Sequence, residues 1–220
     1  MKSLNKYFDH TLLKPEATED DIKKLCEEAL KYDFYSVCVN TCYVETCANI
    51  LKDSDVKIAA VVGFPLGTCT KPTKVFETEE ACCRGASEVD MVLNVGKFKS
   101  GDYDFCEKDI RDVVKAAGEY NAIVKVILET CLLSDEEIVK ACEISKAAGA
   151  QFVKTSTGFN SAGATAHHVK LMKDTVGDEL EVKASGGIRD YDTTMAMIEA
   201  GADRIGASAG VAVMEDPRAK

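Results

Sequence analysis

Ala148-Gly149-Ala150-Gln151-Phe152-Val153-Lys154-Thr155-Ser156-Thr157-Gly158 contains a helix end, a short strand and a polar turn within eleven residues. The Ala-Gly-Ala closes a helix, because glycine takes the left-handed conformation that stops one. Phe and Val then favour an extended chain, and Thr, Ser and Gly turn it. Ala200-Gly201-Ala202 repeats this helix end before Asp203–Ala207, and Gly85-Ala86 does so before Glu88. Working outward, strand character recurs at Tyr7–Thr11, Ser36–Asn40, Lys57–Gly63, Glu88–Asn94, Ala122–Glu129, Gln151–Thr155, Glu181–Ser185 and Asp203–Ala207. Helical patterns fill the gaps. Ile22, Leu25, Cys26, Ala29 and Leu30 recur at helical spacing after a capping-box-like Thr18-Glu19-Asp20-Asp21. Ser134-Asp135-Glu136-Glu137 opens a second such helix before Ile138, Ala141 and Cys142. Eight strands alternating with helices predict an α/β chain, a (β/α)8 TIM barrel spanning residues 1–220 as a single domain. An open doubly wound sheet is the competitor. No Gly-x-Gly-x-x-Gly follows the first strand, which weakens dinucleotide binding.

The bulk properties narrow the function. The chain has 220 residues, 46% of them hydrophobic, enough for one substantial core. A formal charge of -10 disfavours nucleic acid and anionic membranes as partners, while local amides and a few cations still suit a small anion. Met1-Lys2-Ser3-Leu4-Asn5-Lys6 is no apolar signal segment and no apolar run is bilayer-length, so a cytoplasmic location is expected. The ten cysteines contain no Cys-x-x-Cys. Cys26, Cys47, Cys106 and Cys142 fall in helical stretches, where cysteine packs as a small hydrophobe. No convincing metal-ligand set emerges, and neither a metal nor an organic cofactor is expected. His10 reads as a packing residue, and His167-His168 as surface or core-edge residues.

Strand alternation sorts the remaining side chains. Val124, Val126 and Leu128 face the helices, so Lys125, Ile127 and Glu129 face in. Likewise Asp90, Val92 and Asn94 face in, as do Cys38 with Asn40 and Asp9 with Thr11. Lys154 and Lys183 join them, so the interior collects Asp9, Asp90, Lys125, Glu129, Lys154 and Lys183. That set is a catalytic pocket or a satisfied cluster of salt bridges. Two lysines on adjacent strands repel each other and favour neutral amines, which attack carbonyls. Bringing a lysine from about 10.4 to about 7 takes roughly 4.6 kcal/mol of ammonium destabilisation. The carboxylates oppose it, so Asp90 is expected to move protons, directly or through one water, without simply pairing with the nucleophile.

The turns suggest where the other end of a substrate rests. Ser185-Gly186-Gly187-Ile188-Arg189 and Gly206-Ala207-Ser208-Ala209-Gly210 follow the last two strands. Loops in that position of a barrel frequently hold phosphate on backbone amides. Gly186, Gly187, Gly206 and Ser208 are therefore phosphate-binding candidates, with Gly158 adding to the cradle. Arg189 is either a phosphate clamp or the partner of Asp190 or Asp192.

Five segments carry a family resemblance: Asp9-His10-Thr11-Leu12-Leu13, Glu88-Val89-Asp90-Met91-Val92, Lys125-Val126-Ile127-Leu128-Glu129-Thr130, Phe152 to Gly158, and Val182-Lys183-Ala184-Ser185-Gly186-Gly187-Ile188-Arg189. In this order and over nearly the full length, the chain resembles the deoxyribose-phosphate aldolases. The resemblance implies a metal-free class I aldolase interconverting 2-deoxy-D-ribose 5-phosphate with D-glyceraldehyde 3-phosphate and acetaldehyde. It implies Lys154 as the Schiff-base lysine, Lys183 as the neighbour that depresses its pKa, and Asp90 as a proton relay with water. Residue types alone do not choose between the two lysines. Asp9, Thr11, Cys38, Lys125 and Thr157 would support substrate, water and protons. A homodimer is common in the family. The chain departs from it at Phe159, where some members carry a lysine near the phosphate, and in having no tyrosine after Tyr191. Cys38 would face the aldehyde site as a target for unsaturated aldehydes or as an inert thiol. The alternatives are another Schiff-base barrel aldolase or transaldolase-like enzyme, a metal-dependent aldolase, and a non-catalytic phosphosugar-binding protein.

Overall fold

The structure is a computed structural model and describes residues 2–219; Met1 and Lys220 of the expected 1–220 span lie outside the described residues. The element order is β1 (Phe8–Leu12), α1 (Glu19–Tyr32), β2 (Ser36–Val39), α2 (Val44–Leu51), β3 (Lys57–Val62), α3 (Lys71–Cys83), β4 (Glu88–Val92) and α4 (Val95–Lys99). It continues with α5 (Tyr103–Gly118), β5 (Ile123–Ile127), α6 (Asp135–Ala147), β6 (Phe152–Lys154), α7 (Ala166–Val176), β7 (Glu181–Ser185), α8 (Tyr191–Glu199), β8 (Arg204–Ala207) and α9 (Gly210–Met214). The strands close in sequence order into a parallel barrel, with β8 pairing β1. The eight expected strands are therefore all present and the open sheet is ruled out. No helix among the described residues is long and apolar enough to cross a membrane.

Period two in the strands sets the two sides of the wall. Val37, Val39, Val89, Met91, Val124, Val126, Val153, Val182 and Ile205 point outward into a shell completed by helix residues such as Ile22, Leu25, Ile110 and Val169. Each fully buried side chain of this size contributes roughly 1.5–3 kcal/mol. The helices start where their sequence says. Thr18 and Ser134 both form capping boxes, with Asp21 and Glu137 returning the bond to the cap. α1 ends at Asp33, which holds the left-handed conformation.

The interior is divided. The β2–β3 side is apolar, with Cys38, Ala59 and Val61 packed beside Leu13. The remaining strands carry the charges. Two alternation-based placements need correction. Asn94 lies beyond β4 and instead caps α4 by accepting from Lys97 N. Glu129 also lies past β5, in the left-handed region at φ 58°, so the two-residue alternation no longer governs it.

A buried ion pair braces the barrel from outside. Lys74 of α3 pairs with Asp109 of α5 and donates to Val92 O of β4 at 2.8 Å. Burial pushes the Asp109 carboxyl above its ordinary range, more than Lys74 draws it down. Lys74→Met leaves Asp109 and a strand carbonyl without their cation. It is expected to cost about 3–5 kcal/mol in urea unfolding. The double variant Lys74→Met/Asp109→Leu should regain most of that loss.

Candidate active site

At the C-terminal ends of the strands lies a cleft of about 440 Å³. Its walls include Thr11, Lys14, Thr157, Gly158, Phe159, Ser185, Gly186, Gly187, Arg189, Gly206 and Ser208, and Lys154 reaches it from β6. All six phosphate-binding candidates line this one cleft. Its lining contains three cations and no Asp or Glu, although the chain carries a net charge of -10. Such a cleft attracts an anion.

The turns are held by close backbone approach. Thr155 Oγ1 donates to Ser185 O at 3.1 Å and accepts from Ser185 N at 3.0 Å, tying the β6 and β7 turns together. Gly186 has φ 83°, and a Cβ there would sit 3.0 Å from Gly163 Cα, so only glycine fits. Gly206 has an added use inside the barrel. A Cβ at this position would come within 2.9 Å of Lys183 Cε, so its absence makes room for that lysine.

Arg189 lines the cleft and pairs with neither Asp190 nor Asp192. Asp190 caps α8 by accepting from Thr193 N, and Asp192 is taken by Arg218. Among the described residues Arg189 forms no ion pair. Lys14, which the sequence reading did not single out, is likewise unpaired there. Phe159 is half exposed and packs edge-on against Phe64 at 5.3 Å.

Below the cleft three lysines converge on one aspartate. Asp90 Oδ2 accepts from Lys154 Nζ at 2.9 Å and from Lys183 Nζ at 2.7 Å; Asp90 Oδ1 accepts from Lys125 Nζ at 2.8 Å. Lys154 and Lys183 are direct register partners on β6 and β7. Lys183 also forms a close ion pair with Asp9 Oδ2, without the alignment of a hydrogen bond. Lys125 also pairs with Glu88. Cys38 Sγ lies 3.9 Å from Asp90 Oδ2.

These contacts correct two expectations. Asp90 pairs directly with Lys154, because a buried carboxylate is the nearest compensation for a buried ammonium. Burial would raise the Asp90 carboxyl, but Lys125, Lys154 and Lys183 together hold it well below the carboxylate range. Asp9 is depressed in the same way by Arg204, Lys183 and Lys125 against its burial. The expectation that mutual repulsion makes both strand lysines neutral fails for Lys183. Burial lowers it, yet Asp9 and Asp90 outweigh burial and raise it. Lys125 is raised for the same reason, by Asp90 and Glu88 against burial. Burial pushes the Cys38 thiol up, which disfavours its reactive thiolate.

Glu129 does not join the lysines. It accepts from Thr157 N at 3.2 Å and pairs with Thr157 Oγ1, fixing the turn that carries Gly158. The sequence reading omitted Glu88 and Arg204, although each lies two residues before an inward position and alternation would have placed both inside. The histidines stay out of the cleft. His10 bonds Glu28 at 2.7 Å beside Phe34. Asp135, His167 and His168 gather on the surface at the starts of α6 and α7. The positive ends of two helices meet there, which disfavours a cation.

The profile of the DeoC/LacD family aldolases matches residues 4–216. The chain belongs to the DeoC/LacD aldolase family. This aldolase is 59% identical over 217 residues to the deoxyribose-phosphate aldolase of Caldanaerobacter subterraneus subsp. tengcongensis, covering 98% of this chain and 94% of that protein. It is 60% identical over 216 residues to the Streptococcus sanguinis deoxyribose-phosphate aldolase, covering 98% and 97%. Among solved structures, the aldolase QR15 superposes with a TM-score of 0.94 at 43% identity, over 98% of this chain and 96% of that one. The Aeropyrum pernix deoxyribose phosphate aldolase, described as a unique tetramer, superposes with a TM-score of 0.92 at 35% identity, over 98% and 91%.

Proposed function

We propose that this aldolase, with residues 1–220 as one catalytic domain, reversibly cleaves 2-deoxy-D-ribose 5-phosphate to D-glyceraldehyde 3-phosphate and acetaldehyde by class I chemistry. The observation that carries the reading is Lys154. Its Nζ stands at the floor of an anion-attracting cleft and 2.9 Å from an aspartate it shares with Lys183. The naming of relatives at 56–60% identity supports the substrate.

In the cleavage direction the amine of Lys154 attacks C1 of the open-chain sugar. The carbinolamine loses water to an iminium. The 3-hydroxyl gives up its proton, the C2–C3 bond breaks, and its electron pair enters the iminium as an enamine. D-glyceraldehyde 3-phosphate leaves. The enamine takes a proton at C2, and water releases acetaldehyde and the amine. Asp90 Oδ2 touches both Lys154 and Lys183, so it can pass protons between them and a water in the cleft. Lys183, held as an ammonium, supplies the neighbouring charge. Lys125 and Asp9 orient this pair, while Thr11, Thr157 and Cys38 border the sugar and water.

The phosphate rests on the turns at Gly158, Gly186–Gly187 and Gly206–Ser208, with Arg189 at the rim. Phe159 replaces the lysine of some relatives, so amides carry more of the load. The chemistry needs no metal or organic cofactor, because the imine is the electron sink. We place the enzyme in the cytoplasm, where its free cysteines suit a reducing compartment. We propose a homodimer, for which the exposed Leu66 and Phe76 offer apolar surface.

Borohydride in the presence of acetaldehyde should leave an ethyl group on the peptide bearing Lys154, unchanged by chelator. Acetaldehyde should outcompete ketone donors, which separates this reading from a transaldolase-like one. Modification of Lys183 instead would reverse the lysine roles, and no adduct would remove the mechanism.

A further inference from the structure

The ionic network does not stop at the lysines; it continues to the closed end of the barrel. Arg204 of β8 is almost fully buried inside. Its Nε donates to Asp9 Oδ1 at 2.7 Å, and Nη2 reaches the same oxygen. Nη2 also donates to Glu88 Oε2 at 3.0 Å and Ser36 Oγ at 3.1 Å, and Nη1 to Glu88 Oε1 at 3.3 Å. The guanidinium lies 3.6 Å from the centre of the Tyr35 ring. Glu88 in turn pairs with Lys125, and Asp9 with Lys183.

The interior charges can therefore be counted strand by strand. β1 gives Asp9, β4 gives Glu88 and Asp90, β5 Lys125, β6 Lys154, β7 Lys183 and β8 Arg204. β2 contributes Ser36 and the thiol of Cys38, and β3 only Ala59 and Val61. Outside, at the closed end, Lys2, Glu181 and Asp203 lie nearer to water and are screened. Among the strand residues, four cations thus face three carboxylates in a water-poor interior; beyond the strand ends the buried Glu129 carboxylate is held by Thr157, and Lys14 and Arg189 line the open cleft. Within the strand layers one positive charge is in excess, and release of one proton makes that cluster neutral. Lys125 and Lys183 each touch two carboxylates closely, whereas Lys154 touches only Asp90 and alone of the three lines the cleft.

We propose that Arg204 and Glu88, remote from the cleft, are positioning residues that set this excess of one charge and thereby the pH at which Lys154 presents its free amine. Arg204 acts through Asp9 and Lys183, and Glu88 through Lys125 and Asp90. The inference deepens the Schiff-base reading above, but its test does not require turnover.

The test is competitive labelling of Lys154 by acetic anhydride across pH, read by peptide mass spectrometry, beside the pH profile of kcat/KM. Glu88→Gln adds to the excess, so the amine is freed at lower pH. Arg204→Met removes the excess, so it is freed at higher pH. A unit charge about 10 Å away at an effective dielectric near 20 moves such a midpoint by about one pH unit. The double variant Glu88→Gln/Arg204→Met restores the count and should return the midpoint close to its parental value. Glu88→Asp and Arg204→Lys keep the charge and should leave the midpoint in place, which guards against a single variant that fails to fold. Shifts of the same sign, unmoved midpoints, or a displaced midpoint in the charge-keeping variants would overturn the proposal. A parent that labels normally at Lys154 but is never trapped by borohydride would count against the aldolase reading alone.

Discussion

Lys154→Arg lowers kcat/KM for 2-deoxyribose 5-phosphate cleavage on the order of 10⁴-fold or more, while the protein stays folded. Arginine keeps a cation against Asp90 Oδ2, so the charge count of the interior is unchanged. A guanidinium remains protonated and forms no imine under these conditions. The side chain lines the cleft, so the extra atoms of arginine have space. Release of acetaldehyde, followed with borohydride trapping on the same sample, checks both halves of the expectation. Activity within about tenfold of the parent would place the nucleophile elsewhere, because loss of a covalent step costs far more than that.

Asp90→Asn separates imine formation from turnover. The substitution removes the anion shared by Lys125, Lys154 and Lys183. Four cations then face two carboxylates, and lysine protons are shed more readily. Trapping of acetaldehyde on Lys154 should therefore persist and extend to lower pH. Turnover should fall by about 10²–10⁴-fold, because no carboxylate remains to carry protons between the two lysines and water. The same change is expected to cost about 3–5 kcal/mol of stability, seen in urea unfolding at neutral pH. Loss of trapping in proportion to turnover would mean that Asp90 serves to place Lys154 rather than to move protons.

Much of this was legible in the chain. The strand and turn chemistry around Phe152–Gly158 and its counterparts gave eight βα units, and the two-residue period put Asp9, Asp90, Lys125, Lys154 and Lys183 on one side of the wall. It also holds for Glu88 and Arg204, which sit one inward step deeper than Asp90 and Gly206. Period failed where strands end. Glu129 leaves β5 with a left-handed backbone, so its carboxylate swings to Thr157. Lys74 and Asp109 gave no signal at all, since neither sits in a strand and their meeting depends on how α3 and α5 pack against β4.

By itself the sequence determined the alternation of strand and helix, the inward lysine pair and the late glycine turns, because each follows from local propensity and side-chain period. Only the tertiary structure decided how those charges are compensated. Asp9 and Arg204 are 195 residues apart and meet because β8 closes on β1. The shared position of Asp90 beneath three lysines depends on the β4–β7 register. The electrostatics of a buried ion depend on every charge within several ångströms, and which of those neighbours reach it is set by the register and closure of the barrel rather than by local sequence.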